Sequence, residues 1–320
     1  MKIQLLQRKE INDNQWNACL LKGINALVYS HTDYLDFLTD ANWMGLVAGN
    51  YEAVFPLPLK KKFGFSYVVQ PPFCAQLGAF GNPVLNNGER IFQQDFIARI
   101  PKYLLRKRIH LNPYFPIGKD LLEAIGKNGV KQNLVLDLSK GYQINKDGAK
   151  NIARLDEKGI YYQTNTISPA EIIHFYKNQW GNLNPSITEE WYDKLQKLCA
   201  QFKNMDNPTC EIVSAHGPNG DCLGGGIFFK TKVDRELSST KTEAFHYIHK
   251  GFIHYVCGAA NIGHPDSKGV MHGVLDYVLR KHLGQNVVFD FEGSSIESVA
   301  AFYQKFNPIS EPYFFFKSGI

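Results

Sequence analysis

The sequence predicts a mixed α/β (mixed α+β) protein in two parts. Three observations lead there. The chain has 320 residues, and a typical domain has ~100–200. Short runs of aromatic and β-branched residues with Gly and Pro punctuation read as strands. Amphipathic helical segments interrupt those runs without alternating one for one, and neither G-x-G-x-x-G nor G-x-x-x-x-G-K-[ST] occurs. A doubly wound parallel sheet is therefore not expected.

The elements follow in order. Trp16, Leu20 and Leu21 before Gly23 predict a helix over 13–22, and 33–38 predicts a second, short one. Residues 43–49, 51–59 and 65–70 read as an antiparallel meander, with Asn50 at its first turn. A helix is expected over 88–100, stopped by Pro101, then strands over 107–111 and 131–138. The polar stretch 140–158 is expected to be a helical connector between a first domain, 1–138, and a second, 139–320.

In the second domain a strand is expected over 161–166. Ser168-Pro169 with Glu171 is an N-cap signature for the next helix, and another helix covers 189–202. Strands are expected over 209–215, 223–230, 241–250 and 252–260. Val270, Val274, Leu275, Val278 and Leu279 lie on one helical face of 269–282. The run N-V-V-F-D-F at 286–291 reads as a short buried strand. A helix with a Ser294…Glu297 capping box spans 294–306, and 313–317 is a final aromatic strand.

Hydrophobic residues at 44% and charged residues at 20% exclude a disordered chain. No apolar run reaches the ~18 residues of a membrane span. The start MKIQLLQRKE has no apolar stretch of signal-peptide length, so a cytoplasmic protein is expected. The six cysteines form no C-x-x-C, which argues for buried, reduced thiols. Residues 1–138 hold 16 Lys+Arg against 11 Asp+Glu, and residues 139–320 hold 19 of each. The net charge of +5 thus lies entirely in the first part, concentrated in Lys60-Lys61-Lys62 and Arg106-Lys107-Arg108. Such clusters can attract phosphates or nucleic acid; more often they are solvated strand ends or loops.

Asp290-Phe291-Glu292-Gly293-Ser294, followed by Phe302-Tyr303 and Phe306, resembles the D-F-x-G-S…F-[KY]-x-x-F block of Fem-type, FemAB-like members of the GNAT acyltransferase superfamily. The stretch Tyr51 to Pro58, Lys60-Lys61-Lys62 and Gln70-Pro71-Pro72-Phe73 is similar to the first domain of such proteins. The resemblance implies two tandem GNAT-like domains, each a mostly antiparallel mixed sheet flanked by helices. It also implies N-acyl transfer from an acyl-CoA such as acetyl-CoA to a primary amine, on a small molecule or peptide, in an inter-domain cleft. An aminoacyl-tRNA donor is the alternative within the family; a catalytically degenerate GNAT-fold binding protein is the alternative outside enzymes. The chain departs from the family pattern in two places. The loop Asp266-Ser267-Lys268-Gly269-Val270-Met271 keeps only the middle glycine of Q/R-x-x-G-x-G/A, and Tyr303 stands where Fem-type enzymes often carry Lys.

Candidate site residues follow from chemistry. A helix start at Ser267, Lys268, Gly269 and Val270 offers free N–H groups to a pyrophosphate; an ordinarily capped helix is the competing explanation. Small residues at Gly258, Ala259 and Ala260 permit a close approach to the strand, by a pantetheine arm as the GNAT resemblance implies, or by a packed helix. Asp290 and Glu292, two apart at a strand end, are candidates for the base that takes the amine proton. Tyr303 is a candidate acid for the leaving group, with core packing as its alternative. Gly224-Gly225-Gly226 suggests a bulge or a close approach. His246, His249 and His254 lack the spacing of a metal set, and no metal is expected.

Overall fold

The structure, a computed structural model, describes residues 2–232, 250–292 and 296–319. The chain divides into two compact units. The first comprises Met1–Gln132, Lys232–Gly251 and Glu311–Ile320; the second comprises Asn133–Thr231 and Phe252–Ser310. The expected strand over 241–250 lies, but for Lys250, outside the described residues, as do His246, His249, Gly293 and Ser294.

The first unit opens with β1 (Ile3–Gln7), α1 (Asp13–Lys22) and α2 (Thr32–Thr39). Asn12 caps α1 by accepting from the Gln15 N–H at 3.1 Å. The meander follows as β2 (Trp43–Ala48), β3 (Ala53–Lys62) and β4 (Phe65–Val69), antiparallel throughout. β5 (Phe80–Gly81) pairs with β3. The helix expected over 88–100 shrinks to α3 (Gln93–Ile97). Residues 83–90 instead turn back on themselves, the Ile91 N–H bonding the Pro83 carbonyl at 2.9 Å. β6 (Arg106–Leu111) and α4 (Lys119–Ile125) complete the main segment, and β7 (Val130–Asp137) leads out of it.

The second unit continues through α5 (Lys146–Glu157), β8 (Tyr161–Thr164), α6 (Pro169–Trp180), α7 (Glu189–Lys203), β9 (Thr209–His216) and β10 (Cys222–Thr231). It resumes with β11 (Gly251–Ala260), α8 (Val270–Lys281), β12 (Val287–Asp290) and α9 (Glu297–Tyr303). β13 (Ile309–Gly319) ends the chain and pairs antiparallel with β6. The strand order is β1-β2-β3-β4-β6-β13 in the first unit and β7-β12-β11-β10-β9-β8 in the second. Most pairs are antiparallel; β4–β6 is parallel. Helix α8 connects β11 to β12 as a β-α-β crossover, which runs those two neighbours parallel. Both units are therefore mixed sheets with helices packed on them, as the sequence predicts. Among the described residues no helix is long and apolar enough to cross a membrane.

Core formation in the second unit follows the α8 pattern. Val270, Val274, Leu275, Val278 and Leu279 are all at most 1% exposed and pack with Val213, Phe228 and Phe289 of the sheet. Each contributes about 1.5–3 kcal/mol relative to exposure. The helix α5 packs on α8, so it is part of this layer. The three glycines of β10 serve packing. A Cβ on Gly225 would stand 2.4 Å from the Val213 carbonyl oxygen and 2.5 Å from Ile172 of α6.

At the far end of this sheet, the Glu211 side chain is 14% exposed beside Lys230, Lys281 and His282. Its carboxylate pairs with Lys230, lies 3.1 Å from Lys281 Nζ and 4.0 Å from His282 Nε2. Burial pushes its pKa up, but hydrogen bonding to His282 and Lys230 and the charges of both lysines hold it well below the usual carboxylate range. A depressed folded value stabilises the fold above the unfolded value of ~4.3, and that contribution disappears as pH falls through the folded value. Lys230→Met is expected to cost about 1–3 kcal/mol at neutral pH. Urea melts should show the penalty shrinking once pH drops below about 4.

Candidate active site

A cavity of about 530 Å³ lies in the second unit, and β11 forms one wall of it. β11 has ten residues and its parallel neighbour β12 only four. His254 lies beside Asp290, the last residue of β12, with Nδ1 3.8 Å from Oδ2. The following residues of β11 run on past the end of β12, and five of them, Tyr255 to Ala259, line the cavity. A strand whose neighbour has stopped presents backbone groups sideways. Here they border a partly open space with the volume of a small-molecule site.

The inner end of the cavity is set by the chain leaving β12. Asp290 is fully buried, and its Oδ1 accepts from Asn133 Nδ2 at 2.9 Å and from the Glu292 N–H at 2.8 Å. That second bond holds Glu292 at φ +53, in the left-handed region that a residue with a Cβ rarely adopts. Strain of this kind persists where surrounding contacts fix it, and it clusters at functional positions. It also ends the strand alternation at Asp290. Both carboxylates nevertheless stand beside His254 Nδ1, Asp290 Oδ2 at 3.8 Å and Glu292 Oε1 at 3.3 Å; Asp290 holds the turn, and Glu292 lines the cavity.

Three side chains decide the electrostatics. Glu292 Oε1 lies 3.3 Å from His254 Nδ1, and His254 is fully buried. Burial raises the Glu292 pKa well above the carboxylate norm and lowers that of His254 to about 3. Burial thus disfavours the charged form of each, the carboxylate of Glu292 and the imidazolium of His254. Tyr303 lines the cavity 8% exposed, its ring 4.8 Å from that of Phe291. Burial, then the neighbouring Tyr176, Glu292 and Asp290, raise its pKa. Its phenol stays protonated, a hydrogen-bond donor and a poor proton source.

The residues expected to hold a donor are divided. Gly258 and Ala259 line the cavity; the Ala260 N–H is taken by Gln179 Oε1 at 3.1 Å. At the start of α8, Gly269 is the N-cap at φ +83, and Val270 is buried. The Lys268 carbonyl accepts from Arg154 Nη2 at 2.6 Å, and Lys158 pairs with Asp266. Ser267, Lys268, Gly269 and Val270 do not line the cavity, whereas the next residue, Met271, does.

Sequence reasoning missed the opposite wall, Tyr176, Gln179 and Trp180 of α6. Their i, i+3, i+4 spacing was the available signal: one helix face with two aromatics and an amide. It missed Cys257 as well, a lining thiol whose pKa burial raises, which leaves it a poor nucleophile. Among the described residues no three His, Cys, Asp or Glu side chains are grouped to hold a metal ion.

No family model matches the chain, and no curated protein matches it either. Its structural likenesses are clear. FemX superposes with a TM-score of 0.60 at 10% identity, over 98% of this chain and 96% of its own. L-PGS from Bacillus licheniformis gives 0.50 at 11% identity, over 96% of this chain and 92% of its own. The C-terminal domain of a protein described as a lysylphosphatidylglycerol synthetase, from Agrobacterium fabrum, gives 0.50 at 9%, over 95% and 90%. At these identities the likeness is one of fold, and it extends over nearly the whole of each chain.

Proposed function

We propose that the second unit carries an acyltransferase site that moves an activated acyl group onto a primary amine. One observation supports it above all: β11 outruns β12, and the space so opened has Glu292 at its inner end. The donor's arm would lie along Tyr255–Ala259, as the Fem-type GNAT resemblance implies. Its carbonyl would be presented to an amine held near Glu292.

The chemistry is addition and elimination without a covalent enzyme intermediate, because both reactants are held in line. A primary amine arrives as an ammonium and must lose a proton. Its positive charge near Glu292 favours the carboxylate, as an opposite charge within ~4–6 Å does. Any proton the carboxyl carries is displaced to solvent as the ammonium enters, because burial disfavours a charge on His254. Glu292 then takes a proton from the ammonium, the free amine attacks the acyl carbon, and the carbon–sulfur bond breaks. The proton shed by the attacking nitrogen neutralises the departing thiolate. Tyr303, kept protonated, donates a hydrogen bond to the developing oxyanion or leaving group. Asp290 acts by holding Glu292 in place.

An acyl-CoA is the donor we favour. Addition of CoA at about 100 times its dissociation constant should stabilise the protein by about 2.7 kcal/mol, read as a rise in melting temperature. The aminoacyl-tRNA alternative is favoured by the excess positive charge of residues 1–138. It predicts no response to CoA and tRNA binding that weakens steeply with salt. A protein that responds to neither, and transfers no acyl group to a panel of amines, is a binding protein on this fold.

A further inference from the structure

We propose that the β3–β4 hairpin of the first unit and the sheet face beside it dock on an anionic lipid surface. The turn of this hairpin is Phe63-Gly64, with φ +52 and +79. Phe63 at its apex is 85% exposed and Phe65 is 53% exposed. A phenylalanine held in the left-handed region and almost fully in water contributes nothing to the core.

The strand registers collect the charges. Lys60 stands opposite Tyr67 and Lys62 opposite Phe65, so these four share one face. Val69 is level with Arg108 in the parallel pair, and Arg108 is opposite Lys317 on β13. Alternation along β6 adds Arg106 to the same face. Five cations and two aromatics thus occupy one side of three adjoining strands and the next. The other side carries Val68 and Ile109, both fully buried, while on the cationic side Lys60, Lys62 and Lys317 are exposed and Arg106 and Arg108 half-buried. Among the described residues no carboxylate lies within ion-pair distance of the five, and the Nε atoms of Arg106 and Arg108 are buried without a hydrogen-bond partner. Leu105, 43% exposed, extends the apolar rim, its N–H bonding the Ser66 carbonyl at 3.3 Å.

The order of groups favours a bilayer over a nucleic acid. The most exposed ring sits at the apex, beyond the last lysine, so cations would meet the phosphate layer while the ring goes deeper. A base-stacking platform needs a free ring face backed by the sheet. The Phe63 ring instead projects from a turn, with Lys62 Nζ over it at 5.1 Å.

The test is co-sedimentation of the full chain with vesicles. Phosphatidylcholine alone is compared with phosphatidylcholine containing about 30% phosphatidylglycerol or phosphatidylserine. The expected result is binding to both anionic mixtures, none to phosphatidylcholine, and a loss of about tenfold between 0.1 and 0.5 M salt. Phe63→Ala with Phe65→Ala, and separately Lys60→Glu with Lys62→Glu, should each weaken it about tenfold with the melting temperature unchanged. Equal binding to neutral vesicles, or no binding to any, overturns the proposal. So does a single-stranded RNA oligonucleotide that binds well where the anionic vesicles do not.

Discussion

Glu292→Gln is expected to lower acyl transfer by about 10²–10⁴-fold, the range over which a positioned general base contributes. The amide fills the same space and can still be held by the turn that Asp290 fixes, but it cannot take a proton. The same variant has a readout that needs no substrate. The folded pKa of Glu292 lies above its unfolded value. The stabilisation this brings is complete below the unfolded value of ~4.3 and is lost as pH rises through the folded one. The parent protein should therefore lose melting temperature on the alkaline side by an amount that Glu292→Gln spares. Identical pH profiles for the two proteins would show that the carboxyl is not buried as described. Unchanged activity with an altered profile would remove Glu292 from the chemistry and leave its burial intact.

Gly225→Val is expected to be the most damaging single change to the fold, about 3 kcal/mol or more. The first added carbon already stands 2.4 Å from a backbone oxygen of β9 and 2.5 Å from Ile172. The Ile172 Cδ1 tip can shift, but the backbone oxygen cannot retreat cheaply, because β9 and β10 are hydrogen-bonded from Thr209 to His216. Urea unfolding would measure the loss, and Gly220→Val gives the comparison, since nothing lies within 4 Å of a Cβ there, although its own φ of +89 adds strain. If both variants unfold at the same urea concentration, the glycine triplet is not required by packing.

These two residues show what the sequence discloses and what it hides. The amphipathic stripe of α8 and the capped start of α6 were legible because period and capping are local properties. Ser168 does accept from the Ala170 N–H, and Pro169 does begin that helix. The run around Asp290 read as a buried strand for the same reason. What alternation could not disclose is that the strand stops at Asp290. That depends on a hydrogen bond from the backbone two residues on and on Asn133, far off in the chain. His254 was equally opaque: a lone histidine in an apolar strand gives no local sign of a carboxylate 3.3 Å away. The helix expected over 88–100 failed because residues 83–90 satisfy their backbone by turning, a preference that Asn86, Asn87 and Gly88 encode and that hydrophobic periodicity ignores.

The pairing of β13 with β6 sets a timetable for synthesis. Phe314 stands opposite Leu111, with all of β7 through α9 made in between. As the ribosome proceeds, the early unit emerges with one edge of its sheet unclosed and must wait while about two hundred residues follow. Meanwhile β6, which carries three consecutive basic residues, keeps its open border charged, a deterrent to mispairing with other chains.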